Sequence, residues 1–189
     1  MIFKNVWNKQ MKKIKEQYEK LRLNTVGEFF DYVKELQERE NGMIKVKGDL
    51  IKKFEGFKQY PYKCPAGYWT IGYGSRYYPS GKEVTADDNS VNEKVADDIL
   101  QAYLKKHVLP VLEKMPYDMS QGQIEALASL IYNIGGGAFL NSKLYKAIKK
   151  GDNEAIFKEW NWIKAGGVVY KGLVKRRVAE LNLWFNGDE

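Results

Sequence analysis

The 189-residue chain contains a single cysteine and a single histidine, and that scarcity removes several chemistries at once. Cys64 alone can form no intrachain disulfide and cannot build a thiolate cluster around zinc. His107 alone cannot furnish a histidine-rich metal site, and a Ser-His-Asp or Cys-His arrangement would have to use this one residue. No stretch approaches the roughly 18 consecutive apolar residues of a membrane-spanning helix. The segment Met1 to Gln10 has neither the apolar run nor the small-residue cleavage site of a secretory signal, so export by that route is not expected. Hydrolytic chemistry, if the chain performs any, falls to carboxylates, and no cofactor or metal is expected.

The composition that remains, 44% hydrophobic and 29% charged, is that of a soluble domain with a real core plus an appendage. The formal charge is +7, from 31 basic and 24 acidic residues. Such a surface favours polyanions, whether nucleic acid, an anionic envelope or a wall polymer bearing carboxylates, and charge alone does not choose among them.

Residues 1–44 read as a helical hairpin. Trp7, Met11, Ile14, Tyr18 and Leu21 recur at alternating spacings of four and three, and Thr25 with Glu28 forms a capping box for a second helix with Val26, Phe29, Phe30, Val33 and Leu36 on its apolar side. Residues 1–22 carry seven basic and two acidic side chains, net +5, and residues 23–44 two basic and five acidic, net −3, which favours antiparallel pairing. From residue 45 the character changes. Asp49 is a good N-cap for a short helix through Phe54, and β-formers punctuated by glycine follow, as in Gly67-Tyr-Trp-Thr-Ile-Gly-Tyr-Gly74, with a turn at Pro79-Ser-Gly81. Beyond Ser90 helices are expected: capping boxes at Ser90/Glu93 and Ser120/Gln123, an apolar stripe of Ile124, Leu127, Ala128 and Ile131, and a break at Gly135-Gly-Gly137. Three more should follow, one capped at Asn141-Ser142, one from about Asn153 to Ile163, and one from about Gly172 to Phe185. The expected class is α+β: a small antiparallel-sheet lobe and a larger helical lobe with a cleft between them, residues 45–189, preceded by the hairpin, residues 1–44.

Glu55 stands at the end of the short helix, inside Phe54-Glu-Gly-Phe57. Aromatic neighbours can desolvate a carboxyl and raise its pKa toward that of a general acid, and a glycine beside it admits a substrate. A lone glutamate at a helix end is more often a surface residue. Eight residues separate Glu55 from Cys64, and five separate Cys64 from Thr70. In this spacing the sequence resembles the phage lysozymes, the endolysins of glycoside hydrolase family 24, whose site is a glutamate, an aspartate or cysteine, and a threonine. The resemblance runs over roughly residues 46–185, through Tyr132-Asn-Ile-Gly135, Gly137-Ala-Phe139, Ser142-Lys-Leu144, Gly151-Asp152, Gly166-Gly167 and Gly172-Leu-Val-Lys-Arg-Arg-Val-Ala-Glu180.

The resemblance implies hydrolysis of the β-1,4 bond between N-acetylmuramic acid and N-acetylglucosamine in bacterial peptidoglycan, with host lysis as the result. Glu55 would be the acid, and Cys64 and Thr70 would hold the attacking water. A thiol with an ordinary pKa is a weak base, so Cys64 is expected to position water or to act as a base once Lys63 or a local dipole lowers its pKa. Asn133 matches a position facing the cleft, where its amide could bind an N-acetyl group or merely cap its helix. Tyr68, Trp69 and Tyr73 could stack on sugars or pack in the core. Arg176 and Arg177 match a basic pair of which one would meet Glu55, and the sequence does not say which. His107 reads as a residue near a helix end before Leu109-Pro110. Ser75 stands where the family often has histidine. A monomer acting on peptidoglycan is expected, without nucleic acid, held in the host cytoplasm until a separate pore-forming protein releases it. The basic N-terminal helix is a candidate for meeting an anionic envelope. Two alternatives stay open: a lytic transglycosylase, which uses the acid but no water, and a non-enzymatic envelope-binding protein.

Overall fold

The computed structural model describes residues 28, 44–64, 66–115 and 119–187. The chain divides into two compact units, Met1–Met43 and Ile44–Glu189, and the account below concerns the second. The expected helical hairpin lies outside the described residues, apart from Glu28, which is helical.

The second unit has the expected two-lobed α+β form. Its small lobe starts with α1, Asp49–Glu55. Asp49 is not the N-cap. Gly48 is, in the left-handed region at φ 78°, and it has no side chain with which to cap. Glu125 does that work from a distant helix, accepting the backbone N–H groups of Lys47 and Gly48, the latter at 2.9 Å. The Gly48 N–H is one of the donors a helix start leaves unpaired, and the Lys47 N–H lies just before it. The helix runs one residue past the expected Phe54 and stops at Gly56, φ 68°, so Glu55 is its last residue.

Strands β1, Lys58–Lys63, and β2, Trp69–Gly72, form an antiparallel hairpin with Tyr62 opposite Thr70 and Lys63 opposite Trp69. A tight reversal follows, in which Ile71 and Ser75 exchange two 3.0 Å backbone bonds around Gly72 and Gly74. The turn expected at Pro79–Gly81 is present, closed by Tyr78 and Lys82.

The helical lobe opens with α2, Glu93–Tyr103. Its cap is Asn92, whose side chain accepts the Val95 N–H, so the box expected at Ser90/Glu93 does not form. Nor does the helix end near His107. It continues through a π turn, Leu104–Val108, into α3, Leu109–Leu112. Pro110 has no N–H to give the preceding turn, and a π turn is one way a helix absorbs that loss. Helix α4, Gln121–Ile134, starts at the expected Ser120/Gln123 capping box. It carries no mere stripe: its residues from Ile124 through Ile131 are all buried, because the other helices surround it. Gly135 ends α4 at φ 85°, and the following glycines, expected only to break the helix, begin the short α5, Gly136–Leu140. Next come α6, Lys143–Lys150, capped by Ser142, and α7, Asn153–Glu159, capped by Asp152 and shorter than expected. A two-stranded hairpin, β3 Lys164–Ala165 and β4 Val168–Val169, turns at Gly166-Gly167 where no strand was expected. Helix α8, Lys171–Asn186, packs along α4 so closely at Gly122 that a Cβ there would lie 2.6 Å from the Leu183 carbonyl oxygen.

Candidate active site

Glu55 leaves the end of α1 and is met from α8 by Arg176, whose Nη1 donates to Oε1 at 2.6 Å. The carboxylate is partly open, with its side chain 25% exposed, while the arginine is 5% exposed. The guanidinium is held by further bonds: Nε to the Ser129 hydroxyl at 3.1 Å and Nη2 to the Ser129 carbonyl at 3.1 Å. The Phe54 ring lies 5.7 Å from it.

Behind this pair Glu180 is wholly buried. It accepts from Ser129 at 2.7 Å, from the Trp160 indole N–H at 2.9 Å and from Arg177 Nη2 at 2.9 Å, and it lies 3.3 Å from Arg176 Nε. Two carboxylates thus face two guanidiniums, which removes the penalty that any of them would incur buried alone. Glu180 and Ser129 were given no role from the sequence. Spacing offers one signal: Glu180 stands at i+4 from Arg176 and i+3 from Arg177, on one side of a helix.

Gly74 and Tyr132 complete the surroundings of the acid. A Cβ on Gly74 would sit 3.4 Å from Glu55 Oε2 and 3.8 Å from the Tyr132 hydroxyl, so the backbone, at φ 87°, closes directly on the carboxylate. Tyr132 donates its hydroxyl to the Tyr73 carbonyl at 2.8 Å. Burial, and then the charge of Glu55, push its pKa well above the ordinary phenol range, so it stays a neutral donor.

Thr70 is buried at 3% exposure and donates its hydroxyl to the Tyr62 carbonyl at 3.2 Å, which leaves its oxygen lone pairs as acceptors. Cys64 is a half-buried free thiol at the end of β1, its N–H bonded to the Tyr68 carbonyl. Lys63, considered as a neighbour of the thiol, extends instead over the Trp69 ring at 5.4 Å.

The remaining candidates divide. Asn133 is exposed near the end of α4, its side chain makes no hydrogen bond among the described residues, and the cap position belongs to Gly135. Tyr68 is exposed, with the Arg76 guanidinium 3.4 Å over its ring. For two candidates the structure settles the alternatives left open by the sequence. Tyr73 is 8% exposed and packs on Phe57 with ring centroids 5.9 Å apart, so its ring is core, and its carbonyl is the group that meets the Tyr132 hydroxyl. Arg177, 2% exposed, faces Glu180 and not the cleft, because adjacent residues on a helix point about 100° apart.

The family model of the phage lysozymes matches residues 52–180. An endolysin of Bacillus phage B103 is 36% identical over 143 residues, 74% of this chain and 52% of the relative, so the chain spans about half that relative's length. Among solved structures, an endolysin from Escherichia coli O157:H7 phage FAHEc1 is similar at a TM-score of 0.69 and 29% identity, covering 77% of this chain and 94% of the other. The muramidase domain of SpmX from Asticaccaulis excentricus is similar at 0.60 and 32%, covering 75% and 97%. The match spans more than half of the sequence and runs from within α1 into α8, and on that ground the chain belongs to the phage lysozyme family.

Proposed function

We propose that the chain is an endolysin of the muramidase type, hydrolysing the β-1,4 bond between N-acetylmuramic acid and N-acetylglucosamine. The observation that carries this is the partly open Glu55 carboxyl, held at a helix end by a buried arginine from the other lobe, in a chain with the Glu-Cys-Thr spacing. The related muramidase domain supports the same chemistry.

In this reading Glu55 protonates the glycosidic oxygen as the bond breaks and the sugar takes on oxocarbenium character. Water approaches from the hairpin side. Thr70, its own proton committed to Tyr62, accepts a hydrogen bond from that water, and the Cys64 thiol fixes its second direction. Arg176 keeps Glu55 aimed and Glu180 keeps Arg176 in place. The exposed Asn133 amide and Tyr68 ring meet the sugars. The basic surface suits a wall polymer bearing peptide carboxylates. The chain acts outside the host cytoplasm, where it waits until a separate pore-forming protein releases it. Residues 1–44 provide an additional contact with the anionic envelope.

Mass spectrometry of peptidoglycan digests tests the reaction. Free reducing ends are expected; anhydro ends would replace hydrolysis by transglycosylation. Glu55→Gln, nearly isosteric but without a proton to give, should lower turnover about 10²–10⁴-fold with the fold intact. Wall clearing at the parent rate would remove Glu55 from the mechanism.

A further inference from the structure

A cavity of about 470 Å³ opens between one face of α2 and its π turn and the turn at residues 77–81. Ile99, Ala102, Tyr103, Lys106 and His107 line the helical side, and Tyr77 and Tyr78 wall the other. That volume falls within the roughly 300–1,000 Å³ of small-molecule sites, and an apolar, aromatic lining with a few polar groups is their usual chemistry.

Lys106 is the one formally charged side chain among the residues that line it. Asp88 is paired with Lys82 at 2.7 Å, and Glu83 accepts the Tyr77 hydroxyl at 2.9 Å. Lys106 and His107 are exposed and have no ion-pair partner among the described residues. A row of packed rings links the cavity wall to the surroundings of the acid. Tyr103 packs on His107 at 4.6 Å on one side and edge-on against Tyr132 at 5.1 Å on the other, and the Tyr132 hydroxyl lies beside Gly74 and Glu55.

We infer that this cavity is a second binding site for the substrate, taking a wall saccharide with a carboxylate-bearing peptide: sugar against the tyrosine rings, carboxylate against Lys106 and His107. The inference rests on the reading that the chain acts on peptidoglycan. Aromatic faces stack on the C–H surface of a pyranose, and an ammonium without an ion-pair partner pairs with a carboxylate. A polymer engaged at Glu55 and at the cavity together is held at two points, which favours long, peptide-bearing strands over short neutral ones.

His107 is the only histidine, so its imidazole proton signals in NMR report this site without ambiguity. The Glu55→Gln full chain is titrated with muramyl dipeptide. A saturable shift of the His107 signals is expected, with affinity lowered about tenfold by Lys106→Glu, abolished by Ala102→Trp filling the cavity, and at least tenfold weaker for neutral chitotriose. Lys106 is a surface residue, so its variant keeps the test valid should Ala102→Trp fail to fold. His107 signals unmoved at millimolar ligand, or a titration unchanged in both variants, would overturn the site. Wall hydrolysis by the parent without a His107 response leaves the hydrolase reading standing and sinks the site. A His107 response without hydrolysis sinks the hydrolase reading alone.

Discussion

Cys64 is the residue whose chemistry differs most from a carboxylate solution to the same task. If it holds or deprotonates water, Cys64→Asp should stay active, because a carboxylate accepts the same hydrogen bond, while Cys64→Ala should lose about 10²-fold or more, its methyl being unable to accept a proton. Rates of reducing-end release for the two variants test this, and an alanine variant as fast as the parent would make the thiol structural. The Glu-Cys-Thr candidates came from spacing along the chain together with the family resemblance. The division between the two arginines was not legible. They are neighbours in sequence, and only the packing of their helix against the rest of the fold sends Arg176 to Glu55, while Arg177 pairs with Glu180 within the helix. Glu180 was illegible for a related reason: a glutamate reads as solvated until the structure supplies the two cations and the indole that make burial tolerable.

The helix that presents Glu55 depends on a residue 70 positions away. Glu125 caps the start of α1 through Lys47 and Gly48, and Gln121 also donates to it at 3.0 Å. Glu125→Ala leaves those N–H groups unpaired and should cost about 1–2 kcal/mol, measured by urea unfolding. The pH dependence has a definite sign. Burial, outweighing the two backbone bonds, raises the Glu125 pKa above the ordinary 4.5. The folded protein therefore binds this proton more tightly than the unfolded chain, and the group's contribution is full below pH 4.5 and is lost as pH rises through the raised value. Parent minus Glu125→Gln stability should accordingly be larger at pH 4 than at pH 7; the opposite order would show that the carboxylate is better solvated than its burial implies. The cap could not be read locally, because Asp49 had the stronger signal and the chain enters α1 through a left-handed glycine instead. The Ser120/Gln123 box was legible because all of its parts lie within four residues.

At the scale of the molecule, the unit from Ile44 to Glu189 contains a continuous core, from Ile51 in α1 to Trp184 in α8. A chain shortened to begin at Met43 keeps Lys47 and Gly48 for Glu125, and it is expected to fold and to release reducing ends from soluble glycan fragments. Circular dichroism and a fragment assay decide this. Loss of folding would make residues 1–42 part of the core, and loss of activity on intact walls alone would assign them to targeting. By itself the sequence determined which chemistries are excluded, through its single cysteine and single histidine, and it offered Glu55, Cys64 and Thr70 as candidates through their spacing. It also determined the two-lobed α+β class, because helical period, strand propensity and glycine punctuation are properties of neighbouring residues. Tertiary structure alone decided which arginine meets the acid, that Tyr73 packs inward, that Pro110 is absorbed in a π turn, and that a cavity lies between α2 and the turn at 77–81. Each of these is set by how two distant segments pack, and packing is a relation between surfaces that no local window of sequence contains.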